Sequence, residues 1–417
     1  MKTALSLLFW VCVFLTGYTY LGYGLLIWVL NRVRKMLKLN RSRPDASAYW
    51  PEVTVVIPAY NERAFLPAKL KNSLSLAYPA DRIRLLFVTE GSIDGSMEWL
   101  LEARQRYDRR IDVLGGSVRR GKVAAMNRAM KYVKSPIVIF TDANTNLNAG
   151  AIRNIVAHFA DPDVGAVAGE KRIELNAAEA AAGAGEGLYW KYESFLKKQD
   201  AELHTIVGAA GELFALRTEL FEEVEADTLL DDFIISLRIA GRGYRVQYAP
   251  DAFALERPSF SIEEEKKRKI RIATGGFQSI VRLAYLLNPF RYGWLTFQYL
   301  SHRVLRWAVA PFCLPLMLLA SVLLTLVTAL ESSQLFFFWA MTVAAQIGFY
   351  LAALLGYVAE HRQLRVKLLF IPYYFTFMNV CAIAGLMRYL KGTPATGIWE
   401  KARRAEDAEV NPAAETV

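Results

Sequence analysis

The stretch Val53-Thr-Val-Val-Ile-Pro-Ala-Tyr-Asn-Glu62 passes from an unbroken apolar, β-branched run to polar residues across a single proline. Such a run, too short for a helix and lacking polar alternation, predicts a strand buried on both faces of a parallel sheet. Outward from it the same texture repeats. Helical spacing over Leu66–Leu76 leads to a second strand at Ile83–Thr89 and a helix after Gly95. A third strand at Ile111–Leu114, a helix over Lys122–Lys134 and a fourth strand at Ile137–Thr141 follow. Strand and helix alternating over short links predict a doubly wound, mostly parallel α/β sheet. Such sheets bind ligands beyond the carboxyl ends of their strands, so chemistry is expected just after each one.

Those positions are polar. Tyr60-Asn61-Glu62 follows the first strand, Glu90-Gly-Ser-Ile-Asp94-Gly95 the second, and Asp142-Ala-Asn144 the fourth, while Asp231-Asp232 opens a helical stretch downstream. Unpaired buried carboxylates cost several kcal/mol, so packing alone does not explain them. A diphosphate held through Mg²⁺ or Mn²⁺ does, since hard oxygen donors suit those ions. The histidines (His158, His204, His302, His361) are scattered without zinc spacing, and Cys12, Cys313 and Cys381 all fall in apolar segments. Zinc chemistry and a disulfide framework are thereby set aside.

The chain has 417 residues, of which 54% are hydrophobic, and these concentrate at its two ends. Leu5–Leu30 is long enough to cross a ~30 Å hydrocarbon layer as an uncleaved anchor. Apolar stretches near Leu305–Leu330, Leu335–Val358 and Leu368–Leu390 give C-terminal membrane segments. The net charge of +10 is uneven: Arg32, Arg34, Lys35, Lys38, Arg41 and Arg43 follow the first span, and only Lys2 precedes it. The positive-inside rule puts the following domain in the cytoplasm. The basic strip reads as a solvated linker or a contact with anionic lipid heads, not a nucleic-acid site, for which no motif is present. The expected organisation is a membrane helix at 1–30, a basic linker at 31–50 and an α/β domain at 51–258. Amphipathic interfacial helices at 259–303, membrane segments at 304–392 and a polar tail at 393–417 complete it. Gly165–Arg257 reads as less regular, with Ala177–Gly187 a surface loop.

VIPAYNE, VTEGSIDGS, RGKVAAMN, TDAN, VGAAGELFALR and LLDDF occur in the order found in the family 2 glycosyltransferases, which the chain strongly resembles. These are GT-A enzymes and include cellulose, chitin, hyaluronan and poly-N-acetylglucosamine synthases. The resemblance implies a nucleotide-sugar donor contacted by Pro58, Tyr60, Glu62, Glu90, Lys122, Asn127 and Asp142, with Asp142 and Asn144 at the metal. It places Gly208, Gly211, Asp231 and Arg271 on the acceptor side and makes Asp232 the general base. The segment KGTPATGIWEK around Trp399 also resembles membrane-bound members. Three departures are visible. Glu90 replaces a shorter Asp, Asn144 replaces a second metal carboxylate, and the QxxRW motif of processive synthases falls on Arg268, Arg271 and Ile272, so that only its Arg survives. An integral plasma- or inner-membrane transferase acting on a saccharide or lipid-linked acceptor is expected. A catalytically silent membrane subunit of an export complex is the alternative. Several residues keep a second reading: Asp94 and Glu62 as helix caps, Asp231 as a loop-orienting group.

Overall fold

The computed structural model describes residues 1–39, 44–107, 110–173, 184–256, 262–362, 364 and 366–392. The tail with Trp399 lies outside them, as do Arg41 and Arg43 and the part of the expected loop at 177–183.

The N-terminal apolar stretch is helical throughout: α1 (Lys2–Gly17), a π turn (Tyr18–Gly22) and α2 (Tyr23–Met36) follow without a break. Helix therefore continues six residues past the expected end at Leu30, and Arg32, Arg34 and Lys35 belong to it rather than to a linker. The α/β domain follows as β1 (Val53–Ala59), α3 (Leu66–Leu74), β2 (Ile83–Glu90), α4 (Ser96–Arg106), β3 (Ile111–Gly116), α5 (Lys122–Met130) and β4 (Ile137–Thr141). These match the reading from sequence to within a few residues. Then come β5 (Asn146–Leu147), α6 (Ala151–Ala157), β6 (Val164–Ile173), α7 (Ala184–Leu203), β7 (Leu213–Arg217), α8 (Asp231–Gly241) and β8 (Arg245–Glu256). The span expected to be irregular thus supplies three strands, one of them twelve residues long. Residues 184–187 of the expected loop open α7.

One eight-stranded sheet results, in the order β3-β2-β1-β4-β7-β6-β8-β5. The β3-β2-β1-β4 half is parallel; β7 enters antiparallel to both β4 and β6, and β6 pairs parallel with β8. Two apolar layers cover it. One face packs Val56, Val88 and Phe140 against α5 and α8; the other packs Val55, Ile57 and Phe87 against α3, α4 and α6. The parallel half points the carboxyl ends of β1, β2 and β4 to one edge, which places the site.

Beyond the sheet run α9 (Ile262–Arg282), α10 (Pro289–Tyr292), α11 (Trp294–Tyr299), α12 (Ala310–Leu330), α13 (Phe336–His361) and α14 (Lys367–Leu390). Among the described residues four helical segments are long and apolar enough to cross a membrane: Lys2–Met36, Trp294–Leu330, Phe336–His361 and Leu368–Leu390. The first two are antiparallel neighbours, since Lys2 pairs with Glu331 at one end and Tyr18 Oη meets Ser301 Oγ near the other. α9 lies between the domain and the second membrane-length segment: a Cβ on Gly275 would meet Leu230 at 2.7 Å, and one on Gly276 would meet Trp307 at 2.7 Å.

Candidate active site

A pocket opens where β1, β2 and β4 end. It is lined by Pro58, Tyr60, Glu62, Glu90, Arg119, Lys122, Asp142 and Asn144, among others. All of the expected donor-side residues except Asn127 are brought together here. Asn127 is on α5 but turned away: its amide donates to Val224 O at 2.8 Å and accepts from Val224 N at 3.2 Å. Its amide pins the loop before α8 and does not line the pocket.

Each side chain is held by local structure. Asn61 takes φ = 51°, and its Oδ1 accepts from Ile93 N at 2.9 Å, which clips the β1 loop to the β2 loop. Asp94 accepts from Ser96 N at 3.1 Å, Ser96 Oγ at 2.6 Å and Arg63 N at 2.9 Å. It ties the loops and caps, and it does not line the pocket. Glu90, with its extra methylene, reaches sideways: Oε1 accepts from Arg128 at 3.2 Å, and Oε2 is buried without a hydrogen-bond partner. A ligand donor would satisfy that oxygen, since an orphaned buried acceptor is costly. Arg119 was not legible as a site residue beforehand, although it adjoins the Arg-Gly-Lys motif. Its guanidinium lies over the Tyr60 ring, 4.1 Å from its centre. Gly91 makes room for this, because at φ = 69° a Cβ would lie 2.6 Å from Arg119 N.

At the floor, Lys122 Nζ donates to Asp142 Oδ1 at 2.7 Å. A Cβ on Gly211 would lie 3.5 Å from Asp232 Oδ2 and 3.7 Å from Lys122 Nζ. The loop expected on the acceptor side therefore passes directly over the carboxylate expected to be the base. Gly208 shapes that loop: φ is 91°, and a Cβ would collide with the Phe233 ring at 2.2 Å. Burial would lower the Lys122 ammonium, but Asp142, Asp231 and Asp232 overcome it and hold the proton more firmly than usual. Burial pushes the Asp142 carboxyl up against the pull of Lys122. Burial, then the charge of Asp231, pushes Asp232 up to about 7. Asp231 Oδ2 is buried without a partner. Arg271 on α9 feels Asp231, Asp232 and Asp142, so it faces the same cluster. Next to Gly211, Glu212 joins Glu256 around the buried ammonium of Lys171, at 2.7 Å from Glu212. Burial opposes its ionisation, yet Lys171 holds Glu212 down at about 2.

Behind the floor sits a residue not anticipated, Lys69 on α3, 1% exposed. Its ammonium donates to Thr141 Oγ1 at 3.0 Å and Thr145 O at 2.9 Å, fastening the turn that carries Asp142 and Asn144. A signal was present: Lys69 falls on the same stripe as Leu66, Leu70 and Ser73. Burial lowers it to about 7, with Asp142 pulling the other way. The native state then binds fewer protons than the unfolded chain between about pH 7 and 10, so this group makes stability rise with pH there. Lys69→Met is expected to flatten that rise, read as midpoint temperature against pH; an unchanged slope would refute it.

The fit to a divalent cation rests on these donors. Among the described residues no three His, Cys, Asp or Glu side chains form a cage. That is how Mg²⁺ and Mn²⁺ are commonly held in phosphate sites, by one or two carboxylates with substrate phosphates and water. Asp142 and Asn144 at the pocket, with the partnerless Asp231 Oδ2 nearby, fit such an ion.

A curled, mostly parallel sheet whose strand ends gather a carboxylate, an ammonium and an aromatic, joined to membrane-length helices, defines the GT-A class of nucleotide-sugar-binding fold. Residues 51–275 match the family model described as "Glycosyltransferase like family 2", and the chain belongs to that family. The β-monoglucosyldiacylglycerol synthase of Synechocystis sp. is 27% identical over 259 residues, 57% of this chain and 53% of that protein. The poly-β-1,6-N-acetyl-D-glucosamine synthase of Staphylococcus aureus is 25% identical over 252 residues, 58% of this chain and 59% of its own length. The matches thus span little more than half of either relative. A mannosyltransferase from Pyrobaculum calidifontis, solved with GDP-Man and Mn²⁺, superimposes with a TM-score of 0.68. It is 24% identical, and the match covers 93% of this chain and 99% of that one.

Proposed function

We propose that the chain is an inverting, metal-dependent glycosyltransferase. It moves sugar from a UDP-sugar to a membrane-proximal saccharide or lipid-linked acceptor, as in polysaccharide or glycolipid synthesis. The observation that carries this is the convergence of Asp142, Lys122 and Asp232 beneath Gly211, where the donor pocket meets the acceptor loop. The names of the two relatives support the acceptor classes, and the Mn²⁺ and GDP-Man of the fold neighbour support a metal and a nucleotide sugar.

In this mechanism Arg119, Tyr60 and Glu90 hold the nucleoside, and Lys122 binds the diphosphate. Asp142 and Asn144 would hold Mg²⁺ or Mn²⁺, which would supply positive charge to offset that of the departing diphosphate. An acceptor hydroxyl is a poor nucleophile at neutral pH. Asp232 takes its proton as the new C–O bond forms, a function suited to a base whose pKa is near the working pH. The diphosphate leaves from the opposite side of the sugar, so the anomeric configuration inverts without a covalent intermediate. The α/β domain lies on the cytoplasmic side of the membrane in this reading, where nucleotide sugars are made.

Purified full-length protein in detergent, incubated with a panel of nucleotide sugars, Mn²⁺ and lipid extract, tests the activity. Released UDP supports the proposal; no release from any donor points to the silent-subunit alternative. The nucleotide itself is tested by calorimetry. An arginine-covered aromatic face at Tyr60, the Glu90 carboxylate and the Lys122 ammonium suit a uracil ring and its ribose better than a bulky purine. UDP is expected to bind at least several-fold more tightly than GDP, and Tyr60→Ala to weaken UDP. Tighter GDP binding, or unchanged UDP affinity in Tyr60→Ala, would overturn the pocket as drawn.

A further inference from the structure

A second cavity, of about 230 Å³, shares no lining residue with the first and lies between α2 and α7. Its lining is Trp28, Asn31, Arg32, Lys35, Lys198, Gln199 and Glu202. The two helices run side by side in the same direction. Tyr192 Oη donates to Tyr20 O at 2.7 Å, Tyr23 Oη bonds to Asp200, and Asn31 Nδ2 donates to Gln199 O at 2.9 Å. Asn31 and Gln199 are 3% and 7% exposed and form a built, amide-lined floor.

The level of this cavity in the membrane follows from helix geometry. Lys2, paired with Glu331, marks the far end of the helix. At 1.5 Å per residue, Trp28 stands roughly 39 Å from Lys2. A bilayer is ~40–45 Å thick with its headgroups. Trp28 therefore falls at the near interface, where tryptophan is favoured, Arg32 at the outer level of the headgroups and Lys35 just beyond them.

Chemistry is graded along the cleft in the same direction. Leu25, Trp28 and Phe195 are exposed at its membrane end. Arg32, Lys35 and Lys198 line the other end against one acid, Glu202, which pairs with Lys35. Three cations less one carboxylate leave two positive charges. Among the described residues neither Arg32 nor Lys198 has a carboxylate within ion-pair distance, and Arg32 lies over the Trp28 ring at 5.3 Å. The cavity has room for a phosphate and several waters at ~30 Å³ each.

We propose that this cleft binds the headgroup phosphate of an anionic phospholipid of the domain-side leaflet, with Arg32 and Lys198 on the phosphate, Asn31 and Gln199 beneath it and the acyl chains along Leu25 and Phe195. Basic pockets beside membrane helices recognise anionic headgroups through this arrangement. The site is separate from the transferase reading and stands or falls without it. A bound lipid would brace α7, whose far end leads through Leu203 to the acceptor-side loop.

The test is native mass spectrometry of the full chain in detergent, titrated with phosphatidylglycerol or phosphatidylcholine. Wild type is expected to bind phosphatidylglycerol at least tenfold more tightly. Arg32→Gln/Lys198→Gln should lose that preference, a weakening of roughly 30-fold from two basic residues. Glu202→Gln, which removes the lone acid, should strengthen phosphatidylglycerol binding, a gain that misfolding cannot mimic. Arg104→Gln/Arg106→Gln, equal in charge but on α4, should change nothing. Equal weakening in that control, unchanged affinity in the cleft variant, or displacement of lipid by an equal concentration of inorganic phosphate would overturn the proposal. UDP titration of the same variants reports on the donor pocket alone, so failure there counts against the transferase reading only.

Discussion

Asp232→Asn is expected to lower sugar transfer by roughly 10²–10⁴-fold, the usual worth of a positioned general base. UDP and Mn²⁺ affinity should stay within a few-fold of wild type. The substitution is nearly isosteric, so the helix start and the Gly211 contact are preserved while the proton acceptor is lost. Asp231→Asn should cost much less. Side-by-side assays of donor binding and transfer decide the assignment. A dead Asp231→Asn beside a mild Asp232→Asn would shift the base by one residue. Poor donor binding in both would move the base elsewhere.

The same residue gives a pH signature. Burial and the neighbouring Asp231 charge push Asp232 up to about 7. The base acts when ionised, so transfer should rise with pH through an acid limb near neutrality. Removing the Asp231 charge should move that limb to lower pH. Stability runs the other way. The carboxyl binds its proton more tightly folded than unfolded, so its contribution is fully present below about pH 4 and lost as pH rises through about 7. Asp232→Asn should remove that fall. An acid limb unmoved in Asp231→Asn would show that the limb belongs to another group.

Asp142→Ala is the second large effect. Asp142 closes β4, is held by the turn that Lys69 fastens, and touches Lys122 at 2.7 Å. Its removal takes away the carboxylate best placed for the cation. Transfer should fall below detection while the far-ultraviolet dichroism stays unchanged. Mn²⁺ binding in the presence of UDP, read by electron paramagnetic resonance, should weaken by at least tenfold. Chelation of wild type should abolish transfer reversibly. Full turnover in excess chelator, or unweakened Mn²⁺ binding in Asp142→Ala, would sink the metal assignment.

What could be read beforehand was local. VTVVIP and its three parallel companions were found because a buried strand is a short apolar run, and Tyr60, Glu62, Glu90 and Asp142 stand at or just beyond the ends of those strands. The membrane-length helices were found for a similar reason: apolar length is itself the signal. β6 escaped, although it is ten residues long. Val-Gly-Ala-Val-Ala-Gly-Glu-Lys-Arg-Ile is full of small residues, and those are dictated by contacts distant in sequence. A Cβ on Gly169 would lie 2.7 Å from Ala252 O.

The chain's own order of residues determined which side chains stand at strand ends, where the long apolar segments lie and which family the chain belongs to. Only the tertiary structure decided which of those side chains meet. It turned Asn127 toward Val224, set Arg119 on Tyr60, brought Lys69 beneath Thr141 and laid Gly211 over Asp232. Periodicity records how each segment meets solvent and core, a property of neighbours along the chain. Partners such as Lys122 and Asp232, more than a hundred residues apart in the chain, are chosen by strand order and by packing between distant segments, and no local pattern encodes that choice.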